Sequence, residues 1–274
     1  LQEANTVSKA PQKEVLDYAI SELIAAANDL PADAQIPSSE RGRASKQAAL
    51  AFLGRAQLGG GYFKDAAATY KSIIDLGENI IDQDYSSLFN GANESSKEIL
   101  FATQYVKDQA PNAMSQHFFP AISGGWHLFN PLGSIYESFE FKDGTTFSYN
   151  DARHNKQDNT LNRDPRLAYT LLTNNSIFKN QKYISHPDSA KASDQLTTSK
   201  QATRTGFGIR KYGSETLSGD LQNSGIDLPI IRYAEILLSY LEAKLEAGDV
   251  IDQALLNQTI NAVRGRASVQ MPAI

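Results

Sequence analysis

The sequence predicts a mostly α-helical protein made of helical hairpins, with a long irregular, loop-rich insertion that carries short strands. Apolar residues recur with the 3.6-residue period of a helix in residues 6–82 and again in residues 228–267. Between these zones, residues 84–227 show no sustained period, and Gly, Pro, Asn, Asp and Ser dominate their turns. We expect residues 1–274 to form a single domain with these three parts.

Three helices are predicted in the first zone. The first begins at Gln12 and ends at Leu30, because a residue that precedes proline resists the α conformation. A polar linker leads to the second helix, residues 45–58, which three glycines terminate. The third helix, residues 63–76, ends at Gly77, since glycine readily adopts the left-handed C-cap conformation. The apolar face of the first helix consists of Val15, Leu16, Ala19, Ile20, Leu23, Ile24 and Ala27.

The second and third helices resemble a tetratricopeptide repeat. Such repeats have a Leu-Gly pair in their first helix and small residues where the second helix crosses it. Here Leu53 and Gly54, with Leu50, lie in the first helix, and Ala66 and Tyr70 lie in the second. A generic α-helical hairpin with alanines at the crossing is the alternative interpretation.

The last zone repeats the hairpin. A helix is predicted at residues 231–247, a turn at residues 248–249 and a second helix at residues 251–264. Arg232 and Glu235 lie three residues apart, which is the spacing of a surface ion pair on a helix.

The irregular insertion is where function is expected. A loop region of this length is usually functional or disordered, and its aromatic content argues against disorder. Residues 98–104 and 207–212 are predicted to form short strands. Asp164 and Pro165 indicate a helix start, with Asp as the cap and Pro at the first helical position.

Composition excludes several classes of function. The net charge is -5 and no basic block is present, so nucleic acid is not expected as a partner. The chain contains no cysteine, which excludes disulfides, thiolate catalysis and Cys-type zinc sites. No apolar run approaches the ~20 residues that cross a bilayer.

The sequence supports none of the enzyme classes whose motifs were sought. A glycosidase requires two carboxylates held across a cleft, but pairs such as Glu137 with Glu140 have the pattern of solvated charges. There is no G-x-S-x-G elbow, and the four histidines lack zincin spacing. No cofactor and no metal are therefore expected.

Six motifs in order along the chain resemble the SusD/RagB family of outer-membrane nutrient-binding lipoproteins. They are residues 41–49 (RGRASKQAA) with 61–67 (GYFKDAA), residues 85–89 (YSSLF) with 97–101 (KEILF), the Asp143-Gly144 turn, residues 164–167 (DPRL), residues 229–238 (PIIRYAEILL) and residues 261–267 (NAVRGRA). Family members usually also have a lipidated cysteine and an N-terminal segment, and continue past the last motif. The chain thus resembles roughly the middle half of a family member.

The resemblance implies a SusD-like α-superhelix and a binding function without catalysis. It implies capture of an oligosaccharide or polysaccharide at the cell surface and its delivery to a SusC-like TonB-dependent transporter. The expected location is the outer membrane, surface-exposed, through an N-terminal lipid anchor absent from this chain.

A glycine-punctuated segment in the insertion is the candidate ligand-binding site. Sugar rings present an apolar C–H face that aromatic rings contact, and hydroxyls that amides and charged groups bind. Two glycines precede Trp126, the single tryptophan, and are expected to let the chain present the indole outward. A core tryptophan that pins the loop is the alternative. The predicted ligand-binding residues are Trp126, His127, Phe129, Phe118 and Asn112, with Phe119, Gln116 and Asn130 as weaker candidates.

A helical-repeat scaffold that binds a protein or peptide in a concave groove is the alternative function. It explains the hairpins equally well. It does not explain the aromatic insertion, because simple repeat arrays carry no irregular segment of this length.

Overall fold

The computed structural model describes residues 8–189, 192–197 and 203–274. The chain divides into two compact units: Leu1–Ile80 with Ile231–Ile260, and Ile81–Ile230 with Asn261–Ile274. The two predicted helical zones thus contribute most of the first unit, and the insertion contributes most of the second. The expectation of a single domain stays a prediction.

Helices build the first unit, and the architecture is mostly helical as predicted. In this unit α1 (Gln12–Asp29) packs on α2 (Lys46–Gly59), α2 packs on α3 (Phe63–Leu76), and α3 packs on α7 (Tyr233–Glu246). Leu30, before Pro31, is extended with ψ 142°, and it ends α1 as the sequence indicates. The helices are α1 (Gln12–Asp29), α2 (Lys46–Gly59), α3 (Phe63–Leu76), α7 (Tyr233–Glu246) and α8 (Gln253–Gln258).

Close approach of α2 and α3 depends on Gly54. A Cβ atom at this position would lie 2.5 Å from Cε1 of Tyr70, whose side chain is fully buried. Ala66 is fully buried on the same hairpin. Gly54 and Ala66 therefore allow the close approach of the two helices that the sequence predicts.

An ion pair joins α2 and α7. Glu235 accepts a bond from Arg55 Nη2 at 2.7 Å, and Arg55 Nε also bonds its carboxylate. Arg232 has extended angles (φ -126°, ψ 152°) and precedes α7, so Arg232 and Glu235 do not lie within one helix as the sequence predicts.

Two element boundaries in the last zone also differ from the prediction. Residues predicted to begin a helix at 231 instead end a strand, β6 (Leu228–Arg232). The predicted helix at residues 251–264 is split at Thr259 into α8 and α9 (Ile260–Arg264). The Thr259 hydroxyl donates to the Leu255 carbonyl at 2.6 Å, and its backbone (φ -110°, ψ -97°) leaves the helical region.

The second unit has short elements joined by turns. In its described residues three two-stranded sheets occur, pairing β1 (Ile99–Thr103) with β6, β2 (Leu171–Leu172) with β5 (Gly208–Ile209) and β3 (Ile177–Phe178) with β4 (Gln181–Lys182). The predicted strand at 98–104 is present as β1, whereas only two residues of 207–212 form a strand. Its remaining elements are β1 (Ile99–Thr103), α4 (Met114–Phe118), α5 (Gly133–Ser138), α6 (Pro165–Thr170), β2 (Leu171–Leu172), β3 (Ile177–Phe178), β4 (Gln181–Lys182) and β5 (Gly208–Ile209).

Three apolar clusters give the second unit its core. One contains Tyr85, Leu88, Phe89, Val269 and Met271. The second surrounds Phe119 and Phe178, and the third surrounds Tyr136 and Phe147. The insertion therefore folds around aromatic side chains, as its composition indicates.

Buried polar side chains complete this unit. Glu98 and Arg266 form a fully buried pair, with Oε2–Nη1 at 3.1 Å and Oε1–Nη2 at 3.2 Å. Asp164 caps α6 by accepting from the Arg166 N–H at 2.9 Å, with Pro165 at the first position, which confirms the predicted helix start.

Candidate functional site

A short helix and a returning segment of chain form the candidate site. After α4, the chain turns at a 3-10 helix, Ala121–Ser123, and runs back beside α4. The Trp126 N–H donates to the Gln116 carbonyl at 2.7 Å, and the Leu128 N–H donates to the His117 carbonyl at 2.9 Å. These bonds fix the position of the returning segment.

Only glycine fits at one position of the turn. A Cβ atom on Gly125 would lie 2.1 Å from the Phe119 carbonyl oxygen, which is closer than non-bonded heavy atoms can approach. Gly124 has φ 85°, which also favours glycine. The Gly-Gly pair thus brings the chain against α4 and sets the position of Trp126.

Four aromatic side chains lie together on the surface of this segment. Trp126 is 37% exposed and Phe129 is 50% exposed. The His117 ring lies 5.3 Å from the Trp126 ring and 6.3 Å from the Phe129 ring, centroid to centroid. The Phe118 ring meets Phe129 edge to face at 5.2 Å. We call His117, Phe118, Trp126 and Phe129 the aromatic platform.

His127 points the other way, so its predicted contact with ligand requires correction. Its side chain is 0% exposed. Its Nδ1 lies 3.0 Å from Asp194 Oδ1, which assigns the proton to Nδ1, and its ring packs against Tyr183 at 5.8 Å. Trp126 is thus exposed and His127 buried, and His127 has a left-handed backbone with φ 50°.

Asp194 is a buried residue that sequence reasoning missed. Its carboxylate accepts from the Ala121 N–H at 2.6 Å and the Ile122 N–H at 3.0 Å, in addition to His127. It therefore joins the turn and the returning segment beneath the aromatic platform. Asp194 lies 67 residues from His127 in sequence, and no local pattern marks it.

The amide side chains predicted to bind hydroxyls are engaged within the fold. Asn112 donates to the Ile226 carbonyl at 3.0 Å and accepts from the Met114 N–H at 3.1 Å. Gln116 donates to the Gly124 carbonyl at 3.0 Å. Asn130 accepts from the Arg204 N–H at 2.8 Å. These bonds give all three amides a role in positioning the loop.

Phe119 belongs to the core and not to the platform. It is fully buried, and its ring meets Phe178 edge to face at 5.0 Å. Among the residues that the structure describes, no group of three or more His, Asp or Glu side chains is arranged to hold a metal ion. No helix in the described ranges has the length and apolar character needed to cross a membrane.

Comparison with known proteins gives a family and a fold. The sequence model of the SusD family matches residues 97–271. A SusD-like carbohydrate binding protein from Bacteroides fragilis NCTC 9343 is 44% identical, with a TM-score of 0.96 over 100% of this chain and 54% of its own. A SusD-like protein from the same organism is 26% identical, with a TM-score of 0.79 over 97% of this chain and 54% of its own.

More distant structures share the fold. Surface glycan-binding protein A from Bacteroides uniformis is 17% identical, with a TM-score of 0.70 over 98% of this chain and 53% of its own. The chain thus spans about half the length of these solved structures. Among curated proteins, none matches the chain significantly.

Proposed function

This chain belongs to the SusD family, and from that membership we propose that it binds an oligosaccharide or polysaccharide at the aromatic platform without cleaving it. The observation that carries the proposal is the cluster of exposed Trp126 and Phe129 rings around half-buried His117. The similar protein that is 44% identical is described as carbohydrate binding, which supports the ligand class.

The chemistry of the platform suits a sugar ring. Exposed aromatic side chains grouped in one patch mark an interaction surface more often than isolated ones do. The C–H face of a pyranose packs on the indole of Trp126, while the rings of His117 and Phe129 extend the apolar surface. Burial of one such side chain contributes about 1.5–3 kcal/mol toward the ~4 kcal/mol that millimolar binding requires.

The surroundings of the platform support binding without hydrolysis. Glycoside hydrolysis uses two carboxylates on either side of the scissile bond. Residues 109–136 contain no Asp or Glu. Asp194, the carboxylate beneath the platform, is buried and already accepts three hydrogen bonds.

Family membership also supports a proposal for the cellular location of this binding step and for its protein partner. We propose that the complete protein is lipid-anchored at the outer membrane, exposed on the cell surface, and that it delivers its ligand to a SusC-like TonB-dependent transporter. Co-purification of the full-length protein with that transporter from membranes tests this part separately.

The binding proposal is tested by titration calorimetry against a panel of neutral plant, host and microbial oligosaccharides. We expect one glycan class to bind in the micromolar to millimolar range. Trp126→Ala is expected to weaken this binding about tenfold or more, because it removes the apolar contact of the indole. Chromatography of the same samples is expected to show no product.

A matched control is available on α1, where Tyr18 is 66% exposed and far from α4 in sequence. Tyr18→Ala removes an exposed ring of similar size and is expected to leave affinity unchanged. Equal affinity of Trp126→Ala and the parent protein for the glycan contradicts binding at the aromatic platform. Cleavage of the glycan contradicts binding without catalysis, and binding of peptides alone favours the scaffold alternative.

A further inference from the structure

A further exposed aromatic side chain, with a carboxylate beside it, lies in the same unit as the platform. Tyr149 is 50% exposed and lies on the loop that follows α5. Its hydroxyl donates to Oε1 of Glu137 at 3.2 Å, and Glu137 is an exposed residue of α5. We call Tyr149 and Glu137 the tyrosine–carboxylate site, which shares no residue with the platform.

Three rings hold the Tyr149 side chain in place from within the fold. The buried Tyr136 ring stacks on it, with a centroid distance of 6.0 Å and an interplanar angle of 26°. The Phe147 ring meets it edge to face at 4.9 Å, and the His154 ring does so at 5.6 Å. Because the ring is already fixed while half of it faces solvent, little conformational entropy is lost when a ligand packs on it.

The rings that support Tyr149 are themselves held by polar contacts. His154 Nδ1 lies 3.3 Å from the Tyr149 carbonyl oxygen. The guanidinium carbon of buried Arg163 lies 3.6 Å from the centre of the Phe147 ring and 4.6 Å from that of Tyr136. Arg163 Nη2 also donates to the Tyr136 carbonyl at 2.8 Å. The exposed ring thus rests on a rigid base, as a precise binding surface requires.

The Glu137 carboxylate differs from the other acids of this loop in its charge environment. Asp151 accepts from Arg153 Nη2 at 2.6 Å, and Asp143 is bonded by Nη1 of the same guanidinium. Glu137 forms no ion pair in the part of the chain that the structure describes. A carboxylate has about four lone-pair sites, so Glu137 can accept further bonds after the one from Tyr149.

The hydroxyl of Tyr149 stays a donor to this carboxylate. Burial, and after it the neighbouring Glu137, raises the pKa of Tyr149, so the phenol keeps its proton at neutral pH. The Glu137 oxygen is therefore held against the edge of the exposed ring by a hydrogen bond that persists. Negative charge and aromatic surface are presented together.

A ligand with an ammonium group matches this combination. A cation is attracted to the face of an aromatic ring, and a carboxylate accepts its N–H groups in short, charge-assisted bonds. An acidic ligand is repelled by Glu137, and a neutral ligand lacks the charge-assisted bond. An amino sugar has an ammonium group together with an apolar C–H face that can pack on the ring.

We propose that Tyr149 and Glu137 form a second carbohydrate site, which takes a sugar with a free amino group. The ammonium donates to the Glu137 carboxylate, and the C–H face of the sugar packs on the Tyr149 ring. The platform cannot offer this recognition, because residues 109–136 contain no Asp or Glu. The inference rests on the proposed function for its ligand class, but it uses none of the platform residues.

The test uses Trp126→Ala as the background, so that the platform does not contribute. The glucosamine trimer of chitosan is titrated by calorimetry in a mildly acidic buffer that keeps its amino groups protonated, alongside its fully N-acetylated, uncharged counterpart. We expect the glucosamine trimer to bind at least about tenfold more tightly than the acetylated trimer, with an affinity that falls as salt is added. Equal binding of the two trimers, or of neither, overturns the proposal.

Glu137→Gln, added to this background, removes the charge and keeps the shape of the side chain. It is expected to weaken binding of the glucosamine trimer about tenfold, because the charge-assisted bond is lost. Tyr149→Ala is expected to weaken this binding as well, whereas Tyr149→Phe keeps the ring and most of the affinity. Unchanged circular dichroism and thermal midpoint verify that each variant folds.

The matched control is Asp188→Asn, which removes the same charge from a carboxylate that is 91% exposed. It is expected to leave the affinity unchanged, and a loss equal to that of Glu137→Gln shows a non-specific charge effect and overturns the site. Binding of the glucosamine trimer that is insensitive to Glu137→Gln also overturns it. Full competition by trilysine overturns the preference for a sugar.

These outcomes are distinct from the test of the platform. Loss of neutral glycan binding in Trp126→Ala, together with no glucosamine trimer bound, supports the platform and rejects the tyrosine–carboxylate site. Binding of the glucosamine trimer that depends on Glu137, together with no neutral glycan bound by the parent protein, supports the tyrosine–carboxylate site and rejects the platform.

Discussion

The two units satisfy their backbone hydrogen bonds in different ways. In the first unit, α1, α2, α3 and α7 have 14 to 18 residues each, and most N–H groups find a carbonyl four residues earlier. In the described part of the second unit, helices have five or six residues. Most of its backbone groups must therefore find partners elsewhere.

Side chains distant in sequence supply many of those partners. Asp227 accepts from the Tyr105 N–H at 2.8 Å, 122 residues away, and Glu98 accepts from the Asp82 N–H at 2.7 Å. Asp194 accepts from the Ala121 N–H, 73 residues away. The stability of the helical unit therefore depends on packing, whereas that of the irregular unit depends on a few buried hydrogen-bond acceptors. Single substitutions at those acceptors are expected to have the larger effects.

The largest effect is expected for Glu98→Gln in the second unit. The change leaves the Arg266 guanidinium buried without its opposite charge, and breaking a buried pair in this way costs about 3–5 kcal/mol. Urea unfolding followed by circular dichroism measures the loss. The matched control is Arg55→Met in the first unit, whose ion pair with Glu235 is about one third exposed. Arg55→Met is expected to cost at most about 1 kcal/mol of stability. Equal losses of stability in Glu98→Gln and Arg55→Met contradict the difference between the two units.

Asp194→Asn is expected to have an intermediate effect, concentrated at the platform. Asn retains one acceptor oxygen and places an NH2 group against the donors, so about 1–3 kcal/mol of stability is lost. Trp126 is the only tryptophan, and its fluorescence therefore reports on this loop. Acrylamide quenching is expected to increase.

Asp188→Asn is the control for that experiment, because its side chain is 91% exposed and only six residues away. It is expected to leave quenching at the parent value. Identical quenching in the two variants shows that Asp194 does not hold the loop.

The smallest effect is expected for Gly54→Ala, which tests packing in the first unit. The added methyl group overlaps the buried Tyr70 ring at a cost of about 1–3 kcal/mol, while alanine favours the helix by about 1 kcal/mol over glycine, so a net loss of up to about 2 kcal/mol is expected. Gly59→Ala lies in the same helix with nothing within 4 Å of the added Cβ atom. It is expected to be neutral or stabilising in thermal unfolding, and destabilisation equal to that of Gly54→Ala contradicts the packing argument.

Local patterns predicted the helices of the first unit well. The end of α1 follows from Leu30-Pro31, because proline keeps the residue before it out of the helical conformation. The end of α3 follows from Gly77, because glycine readily adopts the left-handed conformation of a C-cap. The errors occur where a distant contact competes with a local preference. The apolar run at residues 228–246 begins as a strand because β6 pairs with β1, which is more than 100 residues earlier.

The segment of the candidate site was predicted from its composition, but the arrangement of its side chains was not. The density of aromatic residues and glycines marks residues 116–130, and Trp126 and Phe129 are exposed there. The orientation of His127 could not be predicted from the sequence, because it depends on which carbonyl groups accept the N–H groups of the returning segment. A ligand role for Trp126, Phe129, Phe118 and Asn112 stays a prediction.

Residue order was enough to identify the family, the helical hairpins and the aromatic segment, because these follow from preferences that act over a few residues. Folding in three dimensions sets which rings face solvent, places Asp194 against the turn that carries them, and brings Lys211 and Tyr212 together with residues 86–94 around a cavity. The physical reason is that exposure and charge environment depend on neighbours that folding brings from distant parts of the chain.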